Sequence, residues 1–534
     1  MDENNNNFLD KNTLLAITLS ILFFVGWQFY ISKKYPEMNK PQDQTVEKVV
    51  DNKNSQKDLE NTANTNLETA TETEFQQQAI VEEKTMSIDF DNFKAELTSK
   101  GMGLNQVELK KYSDRENKNI IFGNADLKSG NFVTQFNNKP LNFNIVKKAE
   151  NHYIGTAQAG TQTIQKDMIF NQDSYTIEVS VKTLSGTPNT TDLIETRLSN
   201  KALKIQASMF APAYEGTEFF TINDGSEERE RIEIETKLNN SFGKSTLASI
   251  GSLYFAVAIK DQSDVIPKTE VNYDPSNETA FASVYHSAAT KGGLTNINFI
   301  GFIGPKEFDI LTKLDPQFSQ MINFGVFSIL SKPLLNILKW LYEMFKNWGL
   351  AIIVLTIFIR ILLLPINISS LRSMKKMQKI QPQLKAIKEK YKEDPQRVNQ
   401  ETMALMKKEK ANPLGGCLPM FLQIPVFFAY YSMIGQSIEL YKQPFAFWVQ
   451  DLSYQDPFYV LPIAVGALYF IQMSLTPQTG MDPTQAKMMK FVPLLFCFFM
   501  VTLPSGLTLY FFVNTVFGIG QQYIFQREKR KAAA

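Results

Sequence analysis

The sequence predicts a multi-span α-helical membrane protein: six transmembrane helices, an antiparallel β-sandwich domain outside the membrane, and a cytoplasmic helical hairpin. Three observations predict it. One apolar run near the start and several in the second half approach the ~20 residues a helix needs to cross a bilayer. From about residue 85 to 301, alternation with period two replaces helical spacing. Lysine and arginine crowd into the same side of the short loops, which orients the spans.

A chain of 534 residues has room for two or three domains. Its net charge of +1 hides strong local asymmetry and so says nothing about partners. The two cysteines, Cys417 and Cys497, both fall in the membrane region, which argues against a disulfide framework. His152 and His286 are too few and too far apart for a metal site. The sequence has no P-loop, no GxSxG and no paired-carboxylate motif, so neither a cofactor nor enzymatic catalysis is expected.

Residues 1–32 read as an anchor whose span is 14–31. No small-x-small cleavage site follows it, only Ser32, Lys33, Lys34, Tyr35 and Pro36. Residues 33–84 are rich in Asn, Gln, Thr, Glu and Lys and cannot bury enough apolar surface to offset ordering, so a disordered tether is expected. Residues 85–325 are assigned to the sandwich. Ile88 and Phe90, then Phe93, Ala95 and Leu97, flank Asp91-Asn92 like a hairpin. Tyr175, Ile177, Val179 and Val181 alternate with polar neighbours, Ile232 and Ile234 do so with charged ones, and 253–259 reads as a buried strand. A packing scaffold is expected here, since no catalytic constellation is visible.

Residues 326–346 form an amphipathic helix with the stripe Leu334, Ile337, Leu338, Leu341 and Phe345, and with Lys332, Lys339 and Lys346 in heptad register. Such a helix either lies on the membrane surface or packs under the sandwich. Residues 347–526 hold five further spans, at 349–365, 418–437, 458–475, 491–503 and 507–525, with Pro504-Ser505-Gly506 turning between the last two. The hairpin, 371–411, carries Leu371, Met374, Met377, Ile380, Leu384, Ile387 and Tyr391 on one face. Pro382 is expected to bend its first helix, and Asp394-Pro395 starts its second. The hairpin's many lysines and the basic tail 527–534 place both termini in the cytoplasm and the sandwich outside, although Lys33 and Lys34 point the other way. The basic face of the hairpin serves either as a topology signal or as a contact for anionic lipid, ribosomal RNA or a nascent chain.

Arg360 is the only Asp, Glu, Lys, Arg or His inside these spans. A charge at membrane depth costs roughly 2.5–3.5 kcal/mol on insertion scales, so it either faces a protein interior or wet cavity, or snorkels to the headgroups. Thr356, Arg360 and Asn367 are spaced to share one helical face, as are Tyr510, Asn514 and Gln521; Gln423 and Gln472 add polar groups in other spans. Facing inward, these side chains line a hydrated hollow, while Thr356 and Gln472 suit interhelical hydrogen bonding equally well. With no acidic residue in the spans, Arg360 is expected to stand unpaired. An anion-binding secondary transporter would also use Arg360, but neither internal repeats nor an intramembrane carboxylate for proton coupling is present.

Several motifs carry a resemblance. Asn347-Trp348-Gly349-Leu350-Ala351-Ile352-Ile353 with Thr356, Arg360 and Pro365 resembles the first core span of the YidC family of membrane protein insertases. So does Asn412-Pro413-Leu414-Gly415-Gly416-Cys417-Leu418-Pro419, followed by Gln423-Ile424-Pro425-Val426-Phe427-Phe428. Leu503-Pro504-Ser505-Gly506-Leu507 with Tyr510, Asn514, Gln521 and Gln522 is similar to the last hairpin of the family, and Gly304-Pro305-Lys306 to the closing segment of its Gram-negative periplasmic domain. The resemblance implies a multi-pass protein of the cell inner membrane with a periplasmic sandwich. Such a protein acts as an insertase and chaperone for nascent integral membrane proteins, alone or with the Sec translocon, in contact with membrane lipid. Ribosome or targeting factors would meet the basic hairpin and tail. It further implies a substrate groove at Arg360, Thr356, Gln423, Tyr510 and Asn514. A hydrophobic slide is implied on spans 418–437 and 491–503, with Met420, Phe427, Met433, Phe498 and Met500. Phe511 stands where members of the family often carry a polar ring, which makes an apolar contact the expectation there.

Overall fold

The structure is a computed structural model. It describes residues 83–532 except 124–129, 187–188, 190, 204–215, 288–295, 410, 412–417 and 476–491. The expected anchor, and all but the last two residues of the tether, lie outside the described residues.

Strands form where the period-two pattern is cleanest. Gln162–Asn171 buries Gln162, Ile164, Lys166, Met168 and Phe170 on one face, and Thr176–Ser185 buries Ile177, Val179 and Val181. These strands sit inside a nine-stranded antiparallel sheet. Its order runs Ser226–Arg231, Glu218–Asn223, Ser245–Gly251, Phe255–Asp261, Asn296–Pro305, Thr176–Ser185, Gln162–Asn171, His152–Ala159, Asn144–Ala149. A six-stranded sheet (Leu238–Phe242, Lys268–Asp274, Thr279–Ser287, Leu193–Lys201, Val133–Phe136, Lys139–Pro140) packs against it and closes the expected sandwich. A four-stranded sheet holds the predicted hairpin, in which Thr85–Asp89 pairs with Phe93–Thr98 from Thr85↔Thr98 to Asp89↔Lys94.

One expected strand is absent. The strand Ser226–Arg231 stops before Ile232, where the chain turns. Ile232 is buried, and its amide donates to the Thr217 carbonyl at 3.0 Å. The Ile234 carbonyl accepts the Tyr273 hydroxyl at 3.1 Å, a tertiary cap that local alternation does not encode.

The helices are α1 (Phe308–Leu314), α2 (Pro316–Ser319), α3 (Ser328–Phe345), α4 (Trp348–Leu362), α5 (Leu364–Lys390), α6 (Pro395–Lys408), α7 (Leu418–Gln436), α8 (Val460–Leu475), α9 (Val492–Met500) and α10 (Ser505–Ala532). Helix α3 packs on α4 and α7 through Ser331, Leu335, Leu338 and Leu341. The buried face is therefore rotated from the predicted stripe, and Ile337 and Phe345 are exposed.

Helix α4 ends earlier than expected. The chain bends by 58° at Leu363, and α5 then runs without interruption past Pro365 and Pro382 into the hairpin arm. Among the described residues no single helix is long and apolar enough to cross a membrane, while the bent pair α4–α5 reaches that length and composition.

The chain divides into two units, with 376–412 separated from the unit that contains 81–375 and 413–534. Within the smaller unit, Ile380, Leu384 and Ala411 form a core with Met377, Leu405 and Met406 against it. Asp394 caps α6 as predicted, accepting the Arg397 amide at 3.0 Å with Pro395 in the first turn.

Candidate functional site

Helices α4 and α10 pack on each other, and the polar residues of both meet at one level. Helix α4 starts at Asn347, whose side chain accepts the Leu350 amide at 3.0 Å, and it buries Ala351, Ile352, Leu355 and Thr356. Arg360 follows one turn later and is half-buried. On α10, Tyr510 and Asn514 are one turn apart and both buried.

The Arg360 guanidinium donates through Nε to Asn514 Oδ1 at 2.5 Å and through NH2 to the Asn514 backbone carbonyl at 3.0 Å. This corrects the expectation that Arg360 stands unpaired. It is hydrogen-bonded, yet both acceptors are neutral, so its charge is held without being cancelled. Charge-assisted bonds of this kind hold a cation in an apolar setting more firmly than neutral pairs do.

Gly518 of α10 lets Gln472 of α8 come close beside this pair. A Cβ there would lie 2.9 Å from Gln472 Nε2, while Arg360 NH2, at 3.9 Å, would be in ordinary contact. Sequence reading missed Gly518, although its position four residues after Asn514 was the available signal.

Beside this pair, Gln423 of α7 donates to the Tyr510 hydroxyl at 2.5 Å, and the Tyr510 ring stacks on Tyr430 with centroids 4.3 Å apart. Arg360, Asn514, Tyr510 and Gln423 therefore form one polar seam across three helices. Thr356 is buried nearby, but its hydroxyl donates to the Ile352 carbonyl of its own helix at 2.7 Å. Asn367 is buried beyond the Leu363 break, so the bend removes it from the face of Thr356 and Arg360.

The apolar residues divide. Phe427 of α7 lies 5.3 Å from Phe511, which in turn meets Phe496 of α9 at 5.2 Å. Met433 and Met500 are fully enclosed, whereas Phe498 is exposed beside Leu495 on α9. Helix α7 turns Ile424 and Phe428 outward in the same way. The Met420 side chain lies outside the described residues.

Known proteins match both parts of the chain. The family model for the 60Kd inner membrane protein matches residues 340–532, and the model for the YidC periplasmic domain matches 85–337. The membrane protein insertase YidC of Campylobacter jejuni is 32% identical over 99% of this chain and 98% of its own length. That of Helicobacter pylori is 31% identical over 99% and 97%, and that of Wolinella succinogenes is 45% identical over 45% and 46%. A crystal structure of an active YidC insertase with its first transmembrane domain resolved covers 82% of this chain and 92% of its own, with 18% identity and a TM-score of 0.38. A sandwich joined to a helical core of this kind, matched along both parts, defines an inner-membrane protein with a periplasmic domain. The chain belongs to the YidC family of membrane protein insertases.

Proposed function

We propose that this protein inserts and folds nascent membrane proteins through the seam centred on Arg360. In this reading the anchor 14–31 and the five later apolar segments cross the inner membrane, with both termini and the hairpin in the cytoplasm and the sandwich in the periplasm. The supporting observation is the cation itself, held by the neutral Asn514 among apolar helices. A guanidinium carries five N–H donors. Asn514 engages two of them, which leaves donors and an uncancelled charge for the acidic or polar flank of a client.

The physical benefit is a lower desolvation cost. A carboxylate entering a membrane interior loses its water, and a nearby cation with free donors replaces part of that hydration. Gln423, Tyr510 and Asn514 extend the polar surface, while Thr356 bonds to its own helix and contributes packing. The client's apolar segment slides against lipid along the outward faces of α7 and α9. Phe498 lies on that surface, Phe427 and Phe511 stand behind it, and Met420 belongs to the same helix as Phe427; Met433 and Met500 pack inside and give the slide its backing. The basic hairpin and tail receive ribosome or targeting factors, and the protein works alone or with the Sec translocon.

Site-specific photo-crosslinking tests this reading. Crosslinkers at Gln423 and Phe498 should capture a stalled nascent membrane protein, the first through its polar flank and the second through its apolar segment. Capture at Phe498 with none at Gln423 across several clients would overturn the groove.

A further inference from the structure

The loop between α7 and α8 has two unlike faces. Its four charges, Glu439, Lys442, Asp451 and Asp456, are all engaged by the protein, Glu439 by Lys339 of α3 at 2.6 Å. Lys442 Nζ donates to Ser113 Oγ at 2.8 Å, the Asp114 carbonyl at 2.7 Å and Asn117 Oδ1 at 2.7 Å, all on one turn of the four-stranded sheet. Asp451 pairs with Arg115 of that same turn at 3.1 Å, and the Arg115 guanidinium lies 3.9 Å from the Tyr454 ring centre. Asp456 caps α8 by accepting the amides of Phe458 and Leu461.

Between these charges, residues 443–450 (Gln-Pro-Phe-Ala-Phe-Trp-Val-Gln) carry none. This stretch is rigid. Phe445 is wedged so closely on α4 that a Cβ at Gly349 would sit 2.0 Å from its ring, and the Phe445 carbonyl accepts Asn347 Nδ2 at 3.0 Å. The Phe445 amide donates to the Val449 carbonyl at 3.0 Å, and Gln450 Nε2 donates to the Phe447 carbonyl at 2.8 Å.

At the tip stands Phe447, 88% exposed, on a backbone with φ of 53°. A bulky residue in that conformation is strained, and such strain persists only where surrounding contacts over-determine it. Here the ring lies outward against Trp448, with centroids 6.0 Å apart.

We propose that residues 443–450 are a foot resting in the periplasmic leaflet, with the Phe447 ring at the boundary of headgroups and acyl chains. The lipid surface is chosen over a protein partner by three observations. The loop, residues 437–459, joins two apolar helices and is held to the start of α4 by the Phe445 ring against Gly349, so its tip stays near the plane where the helices leave the bilayer. It sits at the Asn347 cap of α4, the end of an apolar helix, where exposed aromatic rings are favoured. Its charges are taken up by the sandwich turn, by Lys339 and by the start of α8, while the uncharged tip with Phe447 projects outward, the segregation expected of an interfacial segment. The foot thereby seats the sandwich on the membrane through Lys442 and Arg115. This inference rests on the reading of α7 and α8 as membrane spans.

Spin-label accessibility tests it on the full-length protein in phosphatidylethanolamine–phosphatidylglycerol vesicles, in a Cys417→Ser, Cys497→Ser background. Phe447→Cys carries the label; Phe470→Cys, on the exposed face of α8, reports the span, and Glu116→Cys, on the sandwich turn, reports water. The ratio of oxygen to nickel-chelate accessibility at Phe447 should approach that at Phe470 and far exceed that at Glu116. A water-like ratio at Phe447 with a lipid-like one at Phe470 would overturn the foot alone. A water-like ratio at Phe470 would overturn the span reading beneath it. Protection of Phe447 from both reagents would mean a protein covers the tip, and would equally overturn the lipid assignment.

Discussion

Arg360 meets Asn514 twice, through Nε at 2.5 Å from the side-chain oxygen and through NH2 at 3.0 Å from the backbone carbonyl. The pair is strong in geometry and uncompensated in charge, and the two properties separate by mutation. Asn514→Asp puts a carboxylate where the amide oxygen stands and cancels the cation. Thermal stability in detergent should hold or rise, while insertion of clients with acidic flanks should fall. Asn514→Leu instead removes an acceptor from a charged donor, and should cost about 1.5–3 kcal/mol. Full insertion by Asn514→Asp would show that the charge need not be free.

Gly349→Ala should be among the most damaging single-methyl changes in the helical core. The new Cβ would meet Phe445 ring and Cβ atoms at 2.0–2.8 Å, and overpacking of this kind costs about 1–3 kcal/mol. Adding Phe445→Leu should restore part of the loss, because the clash is between those two side chains. Thermal melts of the single and double variants measure the coupling; independent effects would place the strain elsewhere.

Lys442→Met deletes three charge-assisted bonds between the outer loop and the sandwich turn. The site is partly solvated, so the cost should be only about 1–2 kcal/mol. Hydrogen exchange at residues 113–119 should accelerate while the strands of the nine-stranded sheet keep their protection. Unchanged exchange at the turn would mean that it is held without Lys442, by Arg115 and by Tyr441, whose hydroxyl donates to the Ser113 carbonyl at 3.0 Å.

Lys166 gives the sandwich a pH dependence of definite sign. Its ammonium is fully buried between the sheets, where it reaches the Phe132 carbonyl at 2.5 Å, Thr134 Oγ1 at 2.9 Å and the Gly101 carbonyl at 3.2 Å. Among the described residues no carboxylate pairs with it, and burial pushes its pKa from 10.5 down to about 7. Between those values the unfolded chain holds a proton that the folded one has released, so stability rises with pH across that window, by up to about 1.4 kcal/mol per unit. Lys166→Met should remove that slope. Denaturant midpoints of both proteins at pH 7 and pH 9.5 measure it; equal slopes would show that Lys166 keeps its charge, satisfied by three acceptors.

Local chemistry made much of the fold legible. The Asp91-Asn92 hairpin, the Asp394-Pro395 helix start and the alternation from Tyr175 to Val181 each depend on neighbours in sequence, and each appears in the structure. What failed depends on distant contacts. Ile232 and Ile234 alternate well but end in a turn tied down by Tyr273, and the break at Leu363 carries Asn367 off the face of Arg360. At the site, Arg360 and Asn514 were visible as polar residues in apolar runs. Their partnership was not, because 154 residues separate them. The methionines misled as surface candidates, since Met433 and Met500 are as apolar as Phe498 and only packing distinguishes inside from outside.

The most direct measurement is insertion of a client series graded by flank charge into vesicles carrying wild-type protein, Arg360→Lys or Arg360→Ala. Lysine keeps the charge but loses the planar fork that spans the two Asn514 oxygens, so it should retain part of the activity. Arg360→Ala leaves Asn514 Oδ1 without its donor, a loss of about 1–3 kcal/mol that should leave the helices folded. Its insertion defect should deepen with each acidic residue added to the flank and be smallest for neutral flanks. Equal insertion by Arg360→Ala across the whole series, with the protein folded, would contradict a charged groove and leave Arg360 as a residue that only binds α4 to α10.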